Sequence, residues 1–308
     1  MDLVYLGTPQ FAVPTLEAIL ASGHCVLAVV TQPERAKGRE HNFSCGPVKE
    51  CAMRHGLAVY QPERIRHPEA QEHLRALKPD VMVVVGYGQI IPQTVINMSP
   101  MGIINVHASL LPKYRGAAPI QWAIARGELM TGVTTMRIDA GLDTGDILLQ
   151  SETVIEPGET APELSERLAA MGADLLVRTL ETAPAARPQN SSEATLAPIL
   201  KKEDGRIDWT RQAQEIHNQV RGLLPWPGAH TTFRGRGMQV WKARVREVPE
   251  SRAPGTIWRG GAVLAACGGS SSLELLEVQL EGKKRMPAEL FANGQRFAEN
   301  EILGGLRA

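Results

Sequence analysis

Val81-Met82-Val83-Val84-Val85 is the run on which the reading of the fold turns. Five consecutive apolar residues, four of them β-branched, suit a strand buried on both faces, as in a parallel sheet covered by helices. Upstream, Leu3 to Leu6 reads as a short strand. Gly7 and Thr8 turn the chain, and Pro9 stands where a helix can begin. Phe11, Leu16, Ile19 and Leu20 fall on one helical face, which Gly23 ends. Val26 to Thr31 reads as the next strand, and residues 32–47 as a loop rich in Pro, Gly and charge. A helix from Pro47 to Gly56, a strand at 57–60 and a helix near 68–77 lead back to the starting run. Downstream, Ile103 to His107 is a strand, and residues 117–126 a helix ending at Gly127. Residues 132–138 and 146–155 read as further strands. Thr160 and Glu163 make a capping box for a helix running to about residue 181. Such alternation predicts a doubly wound, mostly parallel, Rossmann-like α/β domain.

From Ala183 to Pro198 the composition changes to Ser, Asn, Glu and Ala punctuated by three prolines. That stretch reads as an interdomain linker, dividing the chain into 1–182, 183–198 and 199–308. Beyond it, Thr210 to Gly222 suits a helix with Ala213, Ile216 and Val220 inward. Short strands with glycine turns follow at 229–233, 237–247, 255–259, 262–267 and 272–280, which suggests a smaller OB-like β-barrel domain.

A length of 308 residues favours two domains, and 43% hydrophobic with 21% charged residues excludes a disordered chain. No apolar run approaches the roughly 18 residues of a membrane span. Asp2 stands where a signal peptide would need a basic residue, so a cytoplasmic protein with no membrane partner is expected. Cys25, Cys45, Cys51 and Cys267 form no C-x-x-C pair, and the remaining histidines are scattered, so no metal is expected. Gly7-Thr8-Pro9 is not G-x-G-x-x-G, so neither is NAD. The zero net charge hides an asymmetry. Residues 1–198 hold 16 Lys and Arg against 21 Asp and Glu, a net of −5; residues 199–308 hold 17 against 12, a net of +5. A basic C-terminal piece hints at a polyanionic partner, although on charge alone a chance imbalance on solvated faces is the favoured reading.

In an open parallel sheet, ligands bind beyond the carboxyl ends of the strands. There Asn105 and His107 share one face of their strand. A histidine at that place is a candidate general base, and an asparagine beside it a candidate oxyanion donor. Asp143, in Gly141-Leu142-Asp143-Thr144-Gly145-Asp146, is a candidate to orient the imidazole. On spacing alone the bland alternative stands: N-x-H is commonly a satisfied strand-end pair, and Asp between glycines is commonly turn chemistry.

Three strings carry a resemblance: Asn105-Val106-His107-Ala108-Ser109-Leu110-Leu111-Pro112, Arg115-Gly116-Ala117-Ala118-Pro119-Ile120 and the Gly141–Asp146 turn. Together with Gly7-Thr8-Pro9-x-Phe11-Ala12, Thr31-Gln32-Pro33, Arg206-Ile207-Asp208-Trp209, Pro225-Trp226-Pro227, Val240-Trp241-Lys242-Ala243 and Gly282-Lys283-Lys284, they resemble the methionyl-tRNA formyltransferase family over nearly the whole chain. The first string alone marks a wider group of folate-dependent formyl enzymes, sugar-nucleotide formyltransferases and formyl-folate hydrolases among them. The C-terminal strings narrow it. The resemblance implies catalysis by Asn105, His107 and Asp143. It implies folate contacts at Ser109, Leu110, Leu111 and Pro112, and a pterin met by the backbone of Gly88, Gln89, Ile90 and Ile91. It implies 10-formyltetrahydrofolate as formyl donor, initiator methionyl-tRNA as acceptor, and tRNA contact through Arg39; a monomer is expected as well. The family loop often runs G-R-G-K-K where this chain has Gly38-Arg39-Glu40-His41-Asn42, so local positive charge is reduced. In the second domain, Lys242, Arg244 and Arg246 alternate along one strand, and Lys283 and Lys284 add a basic turn; these are the candidate phosphate contacts.

Overall fold

The computed structural model describes residues 1–34, 45–247, 252–296 and 301–305. The chain forms two compact units. The first comprises Met1–Gly116, Met130–Val154 and Ser165–Ala197; the second comprises Ala117–Leu129, Ile155–Leu164 and Pro198–Ala308.

In chain order the elements are β1 (Asp2–Gly7), α1 (Val13–Ala21), β2 (Cys25–Val30), α2 (Pro47–Arg54), β3 (Val59–Tyr60), α3 (Pro68–Leu77), β4 (Val81–Val85), α4 (Gln93–Ile96) and β5 (Ile103–His107). Next come β6 (Arg115–Gly116), α5 (Pro119–Ala125), β7 (Met130–Arg137), β8 (Ile147–Val154), α6 (Ala161–Thr182) and β9 (Leu196–Ala197). Proline stands in the first turn of α1, α2, α3 and α5, where its missing N–H costs nothing. Ahead of α6, the Thr160 amide and hydroxyl both donate to Glu163 Oε2, at 2.8 and 2.7 Å. Those bonds hold the Glu163 carboxyl below its ordinary range and fix the start of the helix.

The main sheet of the first unit runs β3-β2-β1-β4-β5-β7-β8. It is parallel from β3 to β5 and antiparallel across β5–β7 and β7–β8. All five residues of β4 are buried, each side chain contributing about 1.5–3 kcal/mol over its exposed state. Val81, Val83 and Val85 face the layer holding Leu16 and Ile19 of α1, Cys51 of α2 and Leu176 of α6. Met82 and Val84 face the opposite layer, with Leu74 of α3 and Ile96 of α4. On β5, Ile104 and Val106 join the first layer and Ile103 the second. Asn105 and His107 therefore lie on the α3–α4 side of the sheet. The crossover at β1 and β4 is a topological switch point, where a crevice opens beyond the strand ends.

Residues 183–197 belong to the first unit and are anchored along it. Ile147 and Arg187 exchange two 2.8 Å backbone bonds, and β9 pairs in parallel with β6. A Pro-rich composition signals an irregular path, not a loose one.

The second unit adds α7 (Ala213–Gly222), β10 (Ala229–Phe233), β11 (Arg236–Arg246), β12 (Thr256–Arg259), β13 (Val263–Ala266), β14 (Ser272–Leu280), β15 (Met286–Pro287), α8 (Ala288–Gln295) and β16 (Glu301–Ile302). Its antiparallel strands run β10-β11-β14-β13-β12-β16, with β15 on β14, and form an OB-like half-barrel. Ala213, Ile216 and Val220 of α7 are buried against it, as the helical period requires. The strand pattern did not reveal α8, whose Phe291 meets Phe233 edge-on at 5.1 Å. Among the described residues, no helix is long and apolar enough to cross a membrane.

Gly172 lies inside α6, where glycine costs about 1 kcal/mol relative to alanine. A Cβ there would sit 2.8 Å from Val106 Cγ1 on β5, so the absent side chain lets α6 approach the strand that carries Asn105 and His107. Gly172→Leu should lower stability by about 1–3 kcal/mol through overpacking, read as a fall in the urea midpoint by circular dichroism. An unchanged midpoint would mean that α6 is not set on β5 by this contact.

Candidate active site

β5 ends in two polar side chains that are almost enclosed: Asn105 is 8% and His107 6% exposed. His107 Nε2 lies 2.9 Å from the Tyr114 carbonyl oxygen. A carbonyl only accepts, so Nε2 carries the proton and donates. His107 Nδ1 faces Asp143 Oδ2 at 3.8 Å, close enough for an ion pair with a protonated ring and too long for a hydrogen bond. Asp143 Oδ2 itself accepts from the Gly116 amide at 2.8 Å. The orienting bond on the ring thus comes from a main-chain carbonyl, and the carboxylate sits beside the other nitrogen. A serine-protease triad also has its carboxylate at Nδ1 but leaves Nε2 to work, whereas here Nε2 is tethered.

Among the described residues, the Asn105 carboxamide has no hydrogen-bond partner. It is not among the fully buried unpaired groups, so its polar atoms reach solvent and are open to an entering ligand. Asp143 is in the left-handed region at φ +52°, which aspartate tolerates better than most residues.

The Ser109–Pro112 segment is pinned from several sides. Ser109 Oγ donates to the Lys113 carbonyl at 2.6 Å. Thr134 Oγ1 on β7 donates to the Ser109 carbonyl and accepts from the Leu111 amide. Gln150 on β8 donates to the Leu111 carbonyl at 2.9 Å. Gly132 leaves room for the Leu110 side chain, whose Cδ2 would lie 2.6 Å from a Cβ.

At the switch point, the Tyr87 carbonyl accepts from Thr8 Oγ1 at 3.2 Å and Gln32 Nε2 at 2.8 Å. Gly88, at φ +79°, passes so close to Gln32 that a Cβ would lie 2.5 Å from its Nε2. Gly88, Gln89 and Ile90 line an open cleft of about 530 Å³ with Gln32, Pro33, Glu63, Arg64 and Arg66. Ile90 is 94% exposed there, while Ile91 packs against the α3–α4 layer. The catalytic candidates are not among the lining residues of this cleft; Asn105 and His107 stand at the end of β5, next to β4, and Asp143 in the turn between β7 and β8.

Arg39 lies outside the described residues, as do all the loop positions compared with G-R-G-K-K. In the second unit, Lys242 and Arg244 are exposed and flank the buried Ala243 on β11. Arg244 forks onto Glu274 at 2.7 and 3.0 Å, and Arg246 approaches the same carboxylate at 3.8 Å. Lys283 and Lys284 are exposed in the turn between β14 and β15. Among the described residues, Lys242, Lys283 and Lys284 have no salt-bridge partner; Lys242 does act at longer range on the Glu163 carboxyl. Elsewhere, Glu17, Cys51 and His55 bring ligand atoms within 4.8 Å of one another. Arg54 already pairs with Glu17 at 3.4 Å, and burial pushes the Cys51 thiol up, so that group favours its proton and its guanidinium.

Comparison with known proteins adds to this geometry. The formyl transferase family matches residues 1–180, and the formyl transferase C-terminal domain matches residues 199–296. Methionyl-tRNA formyltransferase of Solibacter usitatus is 61% identical over 308 residues, covering 99% of each chain. The chain belongs to the methionyl-tRNA formyltransferase family. The same enzyme of Koribacter versatilis is 56% identical over 312 residues, again covering 99% of each. A Helicobacter canadensis N-formyltransferase, solved with folinic acid and dTDP-3-aminofucose, shares the fold at a TM-score of 0.67 and 19% identity, over 89% of this chain and 98% of its own.

Membership in the family does not by itself point to the groups that hold its candidate residues here. Tyr114 and Gly116 act through their backbones, so side-chain reading passes over them. The one usable signal was Gly116 itself, at φ +120° and with its Cα so near the Ala197 carbonyl that a Cβ would lie 2.6 Å from it. The tether on Nε2 fixes the tautomer of the neutral ring. In ¹⁵N NMR of labelled protein, the neutral ring should show a protonated, pyrrole-type Nε2 and an unprotonated, pyridine-type Nδ1. A pyridine-type Nε2 in the neutral ring would rule out the assignment.

Proposed function

We propose that Asn105, His107 and Asp143 carry the transfer of a formyl group from 10-formyltetrahydrofolate to the methionine amino group of charged initiator tRNA. Full-length identity of 61% to a methionyl-tRNA formyltransferase is the observation that carries the substrate assignment. The folinic acid bound by the N-formyltransferase of the same fold supports a folate donor. The amine nitrogen attacks the formyl carbon, and the carbonyl electrons move onto oxygen. Asn105, whose carboxamide is otherwise unpaired, donates to that oxyanion. Its collapse restores the carbonyl and breaks the bond to N10, which takes up a proton as the amine loses one. His107 Nδ1 is the nitrogen free to move that proton, and Asp143 at 3.8 Å stabilises the imidazolium formed on the way. The amine is its own nucleophile, so no covalent enzyme intermediate is required.

In the same reading, residues 1–182 catalyse, 183–198 connect and 199–308 hold the tRNA. The Ser109–Pro112 segment and the Gly88–Ile91 backbone receive the folate, Arg39 contacts the tRNA, and the chain works as a cytoplasmic monomer. Formylation of initiator against elongator methionyl-tRNA, with the folate donor present, tests the substrate assignment; equal rates on both, or transfer only to free small amines, would reject it.

General acid–base help is worth about 10²–10⁴ in rate and one oxyanion donor about 10²–10³. Asn105→Ala and His107→Ala should each lower kcat at least ~10² with little change in KM, and near-normal turnover in either would remove that residue from the scheme. Phosphate tracking makes affinity fall steeply with salt. Replacing Lys242, Lys283 or Lys284 by alanine should each reduce the slope of log Kd against log salt by about 1. Arg244→Ala should reduce it less, because Glu274 already engages the guanidinium. A salt slope that none of the three lysine variants changes would place the tRNA elsewhere.

A further inference from the structure

Gln189 sits in the stretch whose composition reads as a linker, and its side chain is fully committed. Its Oε1 accepts from Arg115 Nε at 3.0 Å and Nη2 at 2.7 Å. Its Nε2 donates to the Asp143 carbonyl at 2.9 Å and the Gly145 carbonyl at 2.7 Å. A guanidinium only donates and a carbonyl only accepts, so the amide has a single workable orientation. Arg115 is 8% exposed, and among the described residues its guanidinium bonds only to Gln189.

The two ends of this bridge matter. Arg115 lies between Tyr114, whose carbonyl holds His107 Nε2, and Gly116, whose amide holds the Asp143 carboxylate. The other end grips the backbone of Asp143 itself, in a left-handed conformation that persists only where its surroundings over-determine it. One carboxamide thus ties the segment that orients the imidazole to the loop that presents the carboxylate.

We propose that Gln189 is a positioning residue for formyl transfer, holding the Asp143 loop in register with His107 through Arg115. The proposal rests on the catalytic reading of Asp143 given above. Gln189→Ala is the obvious variant, but it strands a buried guanidinium and is exposed to simple loss of fold. Gln189→Glu separates the two roles. A carboxylate still accepts the Arg115 fork, now as an ion pair, but cannot donate to the Asp143 and Gly145 carbonyls.

The test is steady-state formylation of methionyl-tRNA by the full chain carrying Gln189→Glu, Asp143→Asn, or both. Gln189→Glu should lower kcat by about 10- to 100-fold, the scale of a small misplacement of catalytic groups. KM for both substrates should stay within about 2-fold, and the thermal midpoint should be retained. In the Asp143→Asn background the same change should cost less than about 3-fold, because residues acting as one unit are non-additive. Normal kcat in Gln189→Glu beside an impaired Asp143→Asn would overturn the proposal and leave the catalytic reading intact. Normal kcat in Asp143→Asn would overturn both. An equal fold-loss with and without Asp143 would show that Gln189 acts on general stability and not through this carboxylate.

Discussion

The hydrogen bond from His107 to the Tyr114 carbonyl, 2.9 Å long, decides which ring nitrogen remains for chemistry, and much of the first unit serves to place its two partners. His107 is fixed because β5 is an interior strand, paired with β4 on one side and β7 on the other. Tyr114 is fixed because its amide donates to Thr195 Oγ1 at 2.9 Å and the next residues pair with β9. A shift of one residue in β5 would turn Asn105 and His107 to the α1–α6 layer, where Ile104 and Val106 now pack. Apolar burial on both faces of the sheet therefore sets the register on which the polar site depends.

Most of the first unit was legible because its strands and helices carry strong periodicities and proline or glycine punctuation. The Val81–Val85 run, the Ile103–His107 strand and the Pro68–Leu77 helix fall where the sequence places them. In the second unit, 229–233 and 272–280 do so as well, while α8 escaped notice since Ala288–Gln295 follows directly on a two-residue strand with no clear start signal. At the site, the three side chains suggested by N-x-H and the Gly141–Asp146 turn are present in one unit, with His107 and Asp143 adjacent. What holds them was not legible. Two of the partners are backbone groups, Tyr114 and Gly116, and the third, Gln189, lies more than 40 positions from Asp143 in a stretch with no periodicity at all.

The charge asymmetry of the sequence needs the same refinement. A net of +5 over residues 199–308 counts Arg244 and Arg246, yet both lean on one carboxylate, Glu274, which is 6% exposed. Arg285 likewise pairs with Glu277 while stacking on Trp241 at 4.8 Å. These guanidiniums tie β11, β14 and β15 to one another through Glu274, Glu277 and Trp241. The net of +5 already subtracts Glu274 and Glu277; what it does not show is which cations stay unpaired, and there lysines in turns weigh more than arginines in a ladder.

Asn105 and Gln189 show two opposite uses of the same functional group within one unit. The Gln189 amide is saturated by four hydrogen bonds and has no freedom to turn, which suits a group whose task is to keep other groups still. The Asn105 amide, on a rigid strand and nearly enclosed, has no hydrogen-bond partner among the described residues, yet it is not one of the fully buried unpaired groups. Its donors face outward and are kept for an acceptor that enters. The strongest acceptor in the proposed reaction is the tetrahedral oxyanion and not the formyl oxygen of the ground state, so the donor's energy is released where it lowers the barrier. Rigidity supplied by saturated amides and reactivity supplied by an unsaturated one are therefore parts of a single arrangement, and neither works without a sheet that holds both in place.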